Sequence, residues 1–223
     1  MLITIDGPAG AGKTTVSRIL AQRLGFRYVD TGALYRGVAL AALAATIDIA
    51  DDHGLEKMLK SLTIGFVVRD GVTRLMLNEQ DVTDKIRSPE VTMAASAVSA
   101  RPVVRQHLLT VQHALGSQKK AVFEGRDMGT VVFPDADLKF YLDASVEVRA
   151  MRRFNELKGQ NRQSISQVEA DIRRRDKNDT TRAVAPLRAA EDAIVIDASD
   201  LSAERVVEEM LTHVQQKYPE TRG

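Results

Sequence analysis

The sequence predicts an α/β fold in which helices flank a five-stranded parallel sheet. Five short apolar runs alternate with helical stretches, and continuous apolar runs are typical of strands that are buried on both faces. A glycine-rich segment follows the first run and precedes an amphipathic helix, which is the order of a phosphate-binding loop. A hairpin pattern in the middle of the chain interrupts the alternation and predicts an inserted antiparallel subdomain.

The first strand and the loop behind it carry the most specific signal. Residues 1–5 are apolar, and the chain from Gly7 reads Gly-Pro-Ala-Gly-Ala-Gly-Lys-Thr, which matches Gly-x4-Gly-Lys-[Ser/Thr]. Such a loop needs glycine because its backbone turns with positive φ and brings successive N–H groups onto phosphate oxygens. We therefore expect a nucleoside triphosphate to contact Gly7, Pro8, Ala9, Gly10, Ala11, Gly12, Lys13, Thr14 and Thr15.

Two side chains at the end of this loop have expected roles of their own. Lys13, which we expect to be exposed, adds a positive charge for the β- and γ-phosphates, and Thr14 offers a hydroxyl oxygen to Mg²⁺. Residues 15–24 predict a helix whose positive N-terminus points at the same anion. Its apolar face consists of Val16, Ile19, Leu20 and Leu24.

A strand, a helix and a hairpin come next. Residues 27–30 predict the second strand, and the alanine-rich residues 33–43 predict a helix. Residues 63–69 and 72–77 flank Asp70-Gly71 and predict a hairpin with an Asp-Gly turn. Residues 78–83 add a further short strand, so about 62–84 form the core of the predicted subdomain.

The rest of the chain returns to alternating helices and strands. Ser88-Pro89 opens one helix, and Arg101-Pro102 opens another that runs towards Gly116. The apolar runs at residues 120–124, 138–142 and 193–197 predict the remaining parallel strands. Ligands of such sheets bind outside the carboxyl ends of the strands, so we look for the chemistry in the segments that follow them.

Composition excludes several classes of protein. A chain of 223 residues suits one α/β domain with an insertion, and a net charge of +1 argues against a general nucleic-acid binder. The absence of cysteine excludes disulfides and cysteine-ligated zinc. Apolar runs stay well below about 20 residues, and Asp6 lies too close to Met1 for a signal peptide. We expect a cytoplasmic monomer with no nucleic-acid or membrane partner.

Basic charge is concentrated between residues 149 and 182, which hold ten Lys or Arg against five Asp or Glu. A solvated helical face is one interpretation, and we apply it to Arg173 and Arg174. The polar, glycine-containing stretch 158–164 instead predicts a loop between two helices. A short basic lid over bound phosphates, at about 153–166, fits this pattern.

Four segments together resemble the bacterial-type cytidylate kinases, which are P-loop nucleoside monophosphate kinases. They are residues 4–13, 30–36, 125–136 and 182–187, and the blocks Gly-Arg-Asp-Met-Gly-Thr and Arg-Ala-Val-Ala-Pro are the most specific. The resemblance implies a P-loop kinase fold that transfers the γ-phosphoryl group of ATP to CMP or dCMP with Mg²⁺. It also implies a single kinase chain with a core at 1–60 and 117–223 and a monophosphate-binding insertion at about 61–116.

The same resemblance assigns site residues by position. It implies that catalysis depends on Lys13, Arg126, Asp127, Arg175 and Arg182. It implies that CMP is bound by Thr31, Tyr35, Arg36, Ser96, Arg105, Arg126, Asp127, Arg175, Asp179 and Arg182. Thr14 would hold Mg²⁺, and Glu124, where this family often has Asp, would position the ion through water.

Simpler interpretations stand beside these assignments. Asp127 could cap a turn, Ser96 could be a small residue on an alanine-rich helix, Tyr35 could be core packing, and Asp6 could only brace the phosphate loop. Other functions also fit a phosphate loop: a P-loop kinase acting on UMP, AMP or a non-nucleotide alcohol, or a GTPase-like switch. The chain lacks the Asn-Lys-x-Asp motif that reads guanine, which argues against the switch.

Overall fold

Strands and helices alternate in the computed structural model, which describes residues 1–69, 72–156 and 163–219. Contacts divide the chain into two compact units. We call residues 1–29 and 118–223 the sheet unit, and residues 30–117 the hairpin unit.

The strand elements are β1 Leu2–Asp6, β2 Arg27–Asp30, β3 Ile64–Arg69, β4 Val72–Leu77, β5 Gln80–Asp81, β6 Ala121–Glu124, β7 Leu138–Asp143 and β8 Ile194–Asp197. The helices are α1 Lys13–Leu24, α2 Thr31–Ala44, α3 Asp52–Ser61, α4 Pro89–Val98, α5 Pro102–Gly116, α6 Val146–Glu156, α7 Ile165–Thr181 and α8 Ala203–Lys217.

The sheet has five strands in the order β2-β6-β1-β7-β8. Strand β1 lies at its centre and pairs in parallel with β6 on one side and β7 on the other, and β7 pairs in parallel with β8. The predicted five-stranded parallel sheet is confirmed. Because the chain leaves β1 where the strand order changes direction, the loop after β1 lies at the switch point where such sheets bind ligands.

One apolar cluster holds the sheet unit together. Ile3 and Ile5 of β1 and Phe140 of β7 are fully or almost fully buried, together with the apolar faces of α1 and α8. The predicted face of α1 is confirmed, since Val16 and Leu20 are buried and Ile19 and Leu24 pack against the same cluster. The helix begins at Lys13, two residues before its predicted start.

In the hairpin unit, β3 and β4 pair in antiparallel register, with Ile64 opposite Leu77 and Arg69 opposite Val72, and β5 pairs with β4. The predicted hairpin and its short third strand are confirmed, whereas the Asp70-Gly71 turn lies outside the described residues. Side-chain caps define the starts of three of its helices. The Asp30, Asp51 and Ser88 side chains accept from the backbone N–H groups of α2, α3 and α4.

The hairpin unit begins at Asp30 and so includes helices α2 and α3 as well as the hairpin, whereas a monophosphate-binding insertion at about 61–116 stays a prediction. These helices belong to the unit through packing: Leu34 and Val38 of α2 and Leu55 of α3 are fully buried in the same apolar cluster as Leu75 of the hairpin. Within the predicted lid at 153–166, residues 153–156 end α6 and 163–164 precede α7, whereas 157–162 lie outside the described residues.

Gly7 lies at a position where a side chain has no room. Its φ is +146°, and a Cβ placed there would come within 1.9 Å of the Leu142 carbonyl oxygen of β7. We predict that Gly7→Ala lowers the free energy of unfolding by at least about 2 kcal/mol, because the added carbon must push β7 away from the loop. Thermal and urea unfolding of the purified variant measure this change.

Gly65→Ala is the matched control for this change. A Cβ at Gly65 meets nothing within 4 Å, and its φ is an ordinary one. This variant should unfold at or above the wild-type midpoint. Equal stability of both variants and wild type would contradict the close approach of the loop to β7.

Candidate active site

The phosphate loop connects β1 to α1 and has the backbone that its sequence predicts. Gly7, Gly10 and Gly12 have φ values of +146°, +78° and +93°. These are conformations in which side chains other than glycine are strained. The loop therefore turns sharply and delivers the chain into the first turn of α1, whose N–H groups point back along the helix axis. This is the geometry of an anion site.

Lys13 is buried, which corrects the expectation that it is exposed. Only 6% of the residue is accessible, and its Nζ donates to the Pro8 carbonyl oxygen at 2.6 Å. The side chain thus folds back over its own loop. Burial lowers the pKa of Lys13 well below its ordinary value, and the nearby charges of Arg126 and Arg175 lower it further, while Glu124 and Asp6 oppose them. The buried, neighbouring positive charges therefore raise the free energy of the folded protein.

Thr14 and Glu124 form the oxygen-rich side of the site. The Thr14 hydroxyl lies 2.9 and 3.1 Å from the two carboxylate oxygens of Glu124 and donates to that carboxylate. The Tyr28 hydroxyl donates to the same carboxylate. Hydroxyl and carboxylate oxygens are the ligands that Mg²⁺ prefers, so this pair fits the expected ion. Within the described ranges, no group of three or more His, Cys, Asp or Glu side chains is arranged to hold a metal ion.

Two arginine–carboxylate pairs join the segment after β6 to the end of α7. Arg126 Nε donates to Asp179 Oδ2 at 2.9 Å, and Arg182 Nη2 lies 3.3 Å from Asp127 Oδ1. Asp127 and Asp179 are both buried. The Asp127 carboxylate thus accepts from Arg182, which is a different use from the capping alternative. Arg175 lies one turn earlier on α7 than Asp179, and its positive charge helps to lower the pKa of Lys13.

Asp6 braces the segment after β6 rather than the phosphate loop. Its two carboxylate oxygens accept from the backbone N–H groups of Met128 at 2.9 Å and Gly129 at 2.7 Å. A Cβ at Gly129 would lie 3.1 Å from Thr4 Oγ1, so this segment packs closely on β1. Burial raises the pKa of Asp6 to about 6, against the two hydrogen bonds that lower it; Asp127 raises it further and Lys13 lowers it. Asp6 therefore helps hold the backbone that carries Arg126 and Asp127.

The hairpin unit contains the other residues assigned to CMP. Thr31 and Tyr35 are buried on α2, and the Arg105 guanidinium of α5 lies 5.6 Å from the centre of the Tyr35 ring. Arg36 Nη2 donates to Asp30 Oδ2 at 2.7 Å. Ser96 is half-buried on α4. The structure therefore brings Tyr35 and Arg105 together.

Sequence reasoning missed three residues that contact the site. Tyr28 reaches Glu124, while Arg149 and Asp176 contact the backbone of Ala9 in the phosphate loop. The only signal for Arg149 and Asp176 was the basic run, which does not distinguish them from surface residues. In the same run Arg173 and Arg174 are exposed and pair with carboxylates on the helical surface, as expected.

Comparisons with known proteins were consistent with one another. A sequence model of the family described as cytidylate kinase matches residues 3–216. A curated cytidylate kinase of Geobacter sulfurreducens is 46% identical over 224 residues, covering 100% of this chain and 96% of that protein. One of Caldicellulosiruptor bescii is 48% identical over 210 residues, covering 94% and 93%. The solved structure of an uncharacterized protein from Eubacterium ventriosum, 10% identical, has a TM-score of 0.54 over 96% of this chain and 98% of that one, which shows a likeness of fold alone.

None of the helices within the described residues has the combined length and apolar character that a bilayer span requires.

We predict that Lys13→Met leaves the fold intact and lowers turnover about 10²–10³-fold, because the charge expected to act on the β- and γ-phosphates is lost. Methionine fills a similar volume without a buried charge, so the thermal midpoint should not fall. Steady-state turnover and thermal unfolding of the same preparation check both parts. A folded variant with near-normal turnover would remove the phosphate-loop lysine from the reaction.

Asp6 should make the stability of the protein depend on pH. Its pKa in the folded state is about 6 against an ordinary value of 3.8, so the folded state holds this proton more tightly than the unfolded chain. The free energy of unfolding therefore falls, by about 3 kcal/mol for this group, as pH rises from about 4 to above 6. Asp6→Asn removes this titration. The free energy of unfolding of D6N should therefore rise relative to that of wild type over that pH range and then stay at a constant difference.

Urea denaturation at about pH 4, 5, 6 and 7 measures this difference. Asp81→Asn is the control, because the Thr83 hydroxyl and N–H hold the pKa of that exposed carboxyl down to about 2. The free energy of unfolding of D81N should therefore differ from that of wild type by a constant amount between about pH 5 and 7. A constant difference for D6N as well would contradict the raised pKa of Asp6.

Proposed function

The chain belongs to the cytidylate kinase family, and from this premise we propose that it transfers the γ-phosphoryl group of ATP to CMP or dCMP. The observation that carries the proposal is the buried Lys13 of the phosphate loop, on which the charges of Arg126 and Arg175 both act. Such a group of positive charges is unfavourable by itself and becomes favourable when phosphate anions lie among its members. Phosphoryl transfer needs charge stabilisation of this kind.

On the donor side, we propose that the phosphate loop and Lys13 hold the β- and γ-phosphates. The positive φ of Gly10 and Gly12 supports this assignment, because it lets loop N–H groups converge on one anion. The loop backbone and Lys13 then need little rearrangement as charge develops on the transferred group.

Arg126, Arg175 and Arg182 are proposed to bind the acceptor phosphate and the group in flight. Their guanidinium forks suit phosphate oxygens because each can donate two parallel hydrogen bonds. Asp179 and Asp127 already hold Arg126 and Arg182 in one orientation, so less side-chain freedom is lost when substrate binds. Asp179 is also proposed to accept from the ribose hydroxyls. We assign no separate general base, since positioning and charge carry this reaction.

Mg²⁺ is proposed to be held by Thr14, with Glu124 acting through water. The hydrogen bonds from Thr14 and Tyr28 to Glu124 support this, because they orient the carboxylate beside the phosphate loop. When bound with ATP, the ion neutralises charge on the β- and γ-phosphates.

Ser96, Arg105 and Asp127 are proposed to read cytosine, and Thr31, Tyr35 and Arg36 to line the acceptor. Cytosine has an exocyclic amine that donates and ring atoms N3 and O2 that accept, so a carboxylate and an arginine match its edge. Uracil, with O4 and N3–H, reverses that pattern. The contact of Arg105 with the Tyr35 ring supports the assignment, because it fixes the direction of the guanidinium.

The remaining expectations stay predictions: a monomer, a cytoplasmic location, a monophosphate-binding insertion and a basic lid at about 153–166. Kinases acting on UMP, AMP or a non-nucleotide alcohol are the nearest alternative, and a GTPase-like switch is a more distant one. ADP release measured with ATP, Mg²⁺ and each acceptor separates them. CMP and dCMP should give the highest kcat/KM, and a higher value for another acceptor, or tighter binding of GTP than of ATP, would contradict the proposal.

We predict that Asp127→Ala and Arg105→Met shrink the preference for CMP over UMP about ten- to a hundredfold, because each contact with the base edge contributes about 1–3 kcal/mol. The measured quantity is the ratio of kcat/KM for the two acceptors at saturating ATP. A ratio cancels losses common to both acceptors, such as those from freeing Arg182 when its partner Asp127 is removed.

Arg101→Met is the matched control for the arginine variant. Arg101 lies just before the same helix α5, and its guanidinium pairs with Asp52 at 2.7 Å, a residue that is not assigned to the acceptor. Its CMP/UMP ratio should equal that of wild type. An unchanged ratio in D127A and R105M would show that these residues do not read cytosine.

A further inference from the structure

One residue of the phosphate loop, Ala9, is held by two side chains of neighbouring helices. The N–H of Ala9 donates to Asp176 Oδ1 at 3.3 Å, and its carbonyl oxygen accepts from Arg149 Nη1 at 3.0 Å. The same Arg149 nitrogen forms an ion pair with the other carboxylate oxygen of Asp176. Both backbone polar groups of Ala9 are therefore bound by side chains of helices α6 and α7.

The contact with Arg149 is close and buried. Arg149 is 4% accessible, and its Nε donates to the Ala144 carbonyl oxygen at 2.8 Å, just before α6. Gly10 lies directly against it, since a Cβ at Gly10 would come within 3.1 Å of both Arg149 Cβ and its carbonyl oxygen. The guanidinium thus has a single well-defined position beneath the loop.

We propose that Arg149 and Asp176 are positioning residues for phosphoryl transfer, which fix the phosphate loop relative to α7. This inference rests on the proposed function, because it concerns how the donor loop is placed for the reaction. The contacts with Ala9 do the positioning: with the N–H of Ala9 bound to Asp176, the later N–H groups of the loop are left to face the phosphates.

Helix α7 explains why this position matters. It carries Asp176 toward the loop, Arg175 beside it, and Asp179 three residues later on the same face. Asp179 in turn holds Arg126. One helix therefore joins the loop proposed to bind the donor phosphates to the arginines proposed to bind the transferred group. A change in the Ala9 contact alters that spacing without removing any group that touches substrate.

Stability alone is a poor explanation for the pair. A buried ion pair contributes little net free energy, because desolvation of two charges offsets their attraction. A simpler alternative is that the pair only ties α6 to α7. The chain contains a matched control for it: Arg173 of α7 pairs with Glu147 of α6 at 3.1 Å on the exposed surface, joining the same two helices without contacting the loop.

The test compares Asp176→Asn, Arg149→Lys and their combination with the control Glu147→Gln/Arg173→Gln. We expect kcat to fall about 10- to 100-fold in D176N and R149K, because small displacements of reacting groups are costly, while the dissociation constant of ADP changes less than about fivefold. The double variant should lose little more than either single one, since the residues act as a unit. The control should keep kcat within about twofold of wild type.

A second measurement does not depend on the acceptor. The amide of Ala9 should exchange its hydrogen at least about tenfold faster in D176N than in wild type, and unchanged in the control. Unchanged exchange and unchanged kcat in a folded D176N would overturn the inference. The inference would also be overturned if the control lost as much kcat as D176N at an equal thermal midpoint, because a simple link between α6 and α7 would then explain the loss.

Failure of the proposed function has a different signature. If wild type transfers no phosphoryl group to CMP, the proposed function fails, and turnover of the variants is then measured with whichever acceptor wild type uses. The exchange of the Ala9 amide and the kcat ratio to wild type still decide the role of Arg149 and Asp176.

Discussion

Concentrated positive charge at the carboxyl ends of β1 and β6 is the constraint on which the rest of the structure depends. Lys13 is buried beside Arg126 and Arg175, and like charges in a site of low dielectric raise the free energy of the folded state. Carboxylates offset part of this cost, since Asp179 holds Arg126 and Asp127 holds Arg182. Phosphate anions would offset the remainder, so the charges that destabilise the protein alone are the ones proposed to bind its substrates.

The scaffold around this cluster leaves little freedom to the segments that carry it. Gly7 allows the loop to pass against β7, and the Asp6 carboxylate binds two backbone N–H groups after β6. Arg149 of α6 and Asp176 of α7 bind the backbone of the loop at Ala9. Each of these contacts is made to backbone, so each fixes a segment rather than a single side chain. Preorganisation of this kind lets dipoles and charges act on a transition state without rearranging first.

The elements of the fold were predictable because their signals are local. Continuous apolar runs marked the parallel strands, glycines marked the phosphate loop, and the hairpin was visible in its two strands. The burial of Lys13 and the partner of Asp6 were not, because both depend on contacts that periodicity does not encode; Asp6 and Gly129 are 123 residues apart. The place of Leu55 in the apolar cluster of the hairpin unit was not predictable either, since it depends on tertiary packing. Resemblance to a family supplied the assignment of site residues, and geometry supplied their pairings.

The measurement that most directly tests the central claim is proton uptake when ADP binds. Burial and the neighbouring arginines lower the pKa of Lys13, and bound phosphates should raise it again, so the protein should take up protons on binding. Calorimetry in buffers of different ionisation enthalpy, between about pH 8 and 10 where the phosphates are already deprotonated, measures this uptake. We predict uptake by wild type that is absent in Lys13→Met. Equal uptake by both proteins at every pH would contradict the claim that Lys13 belongs to a buried cation cluster that binds phosphate.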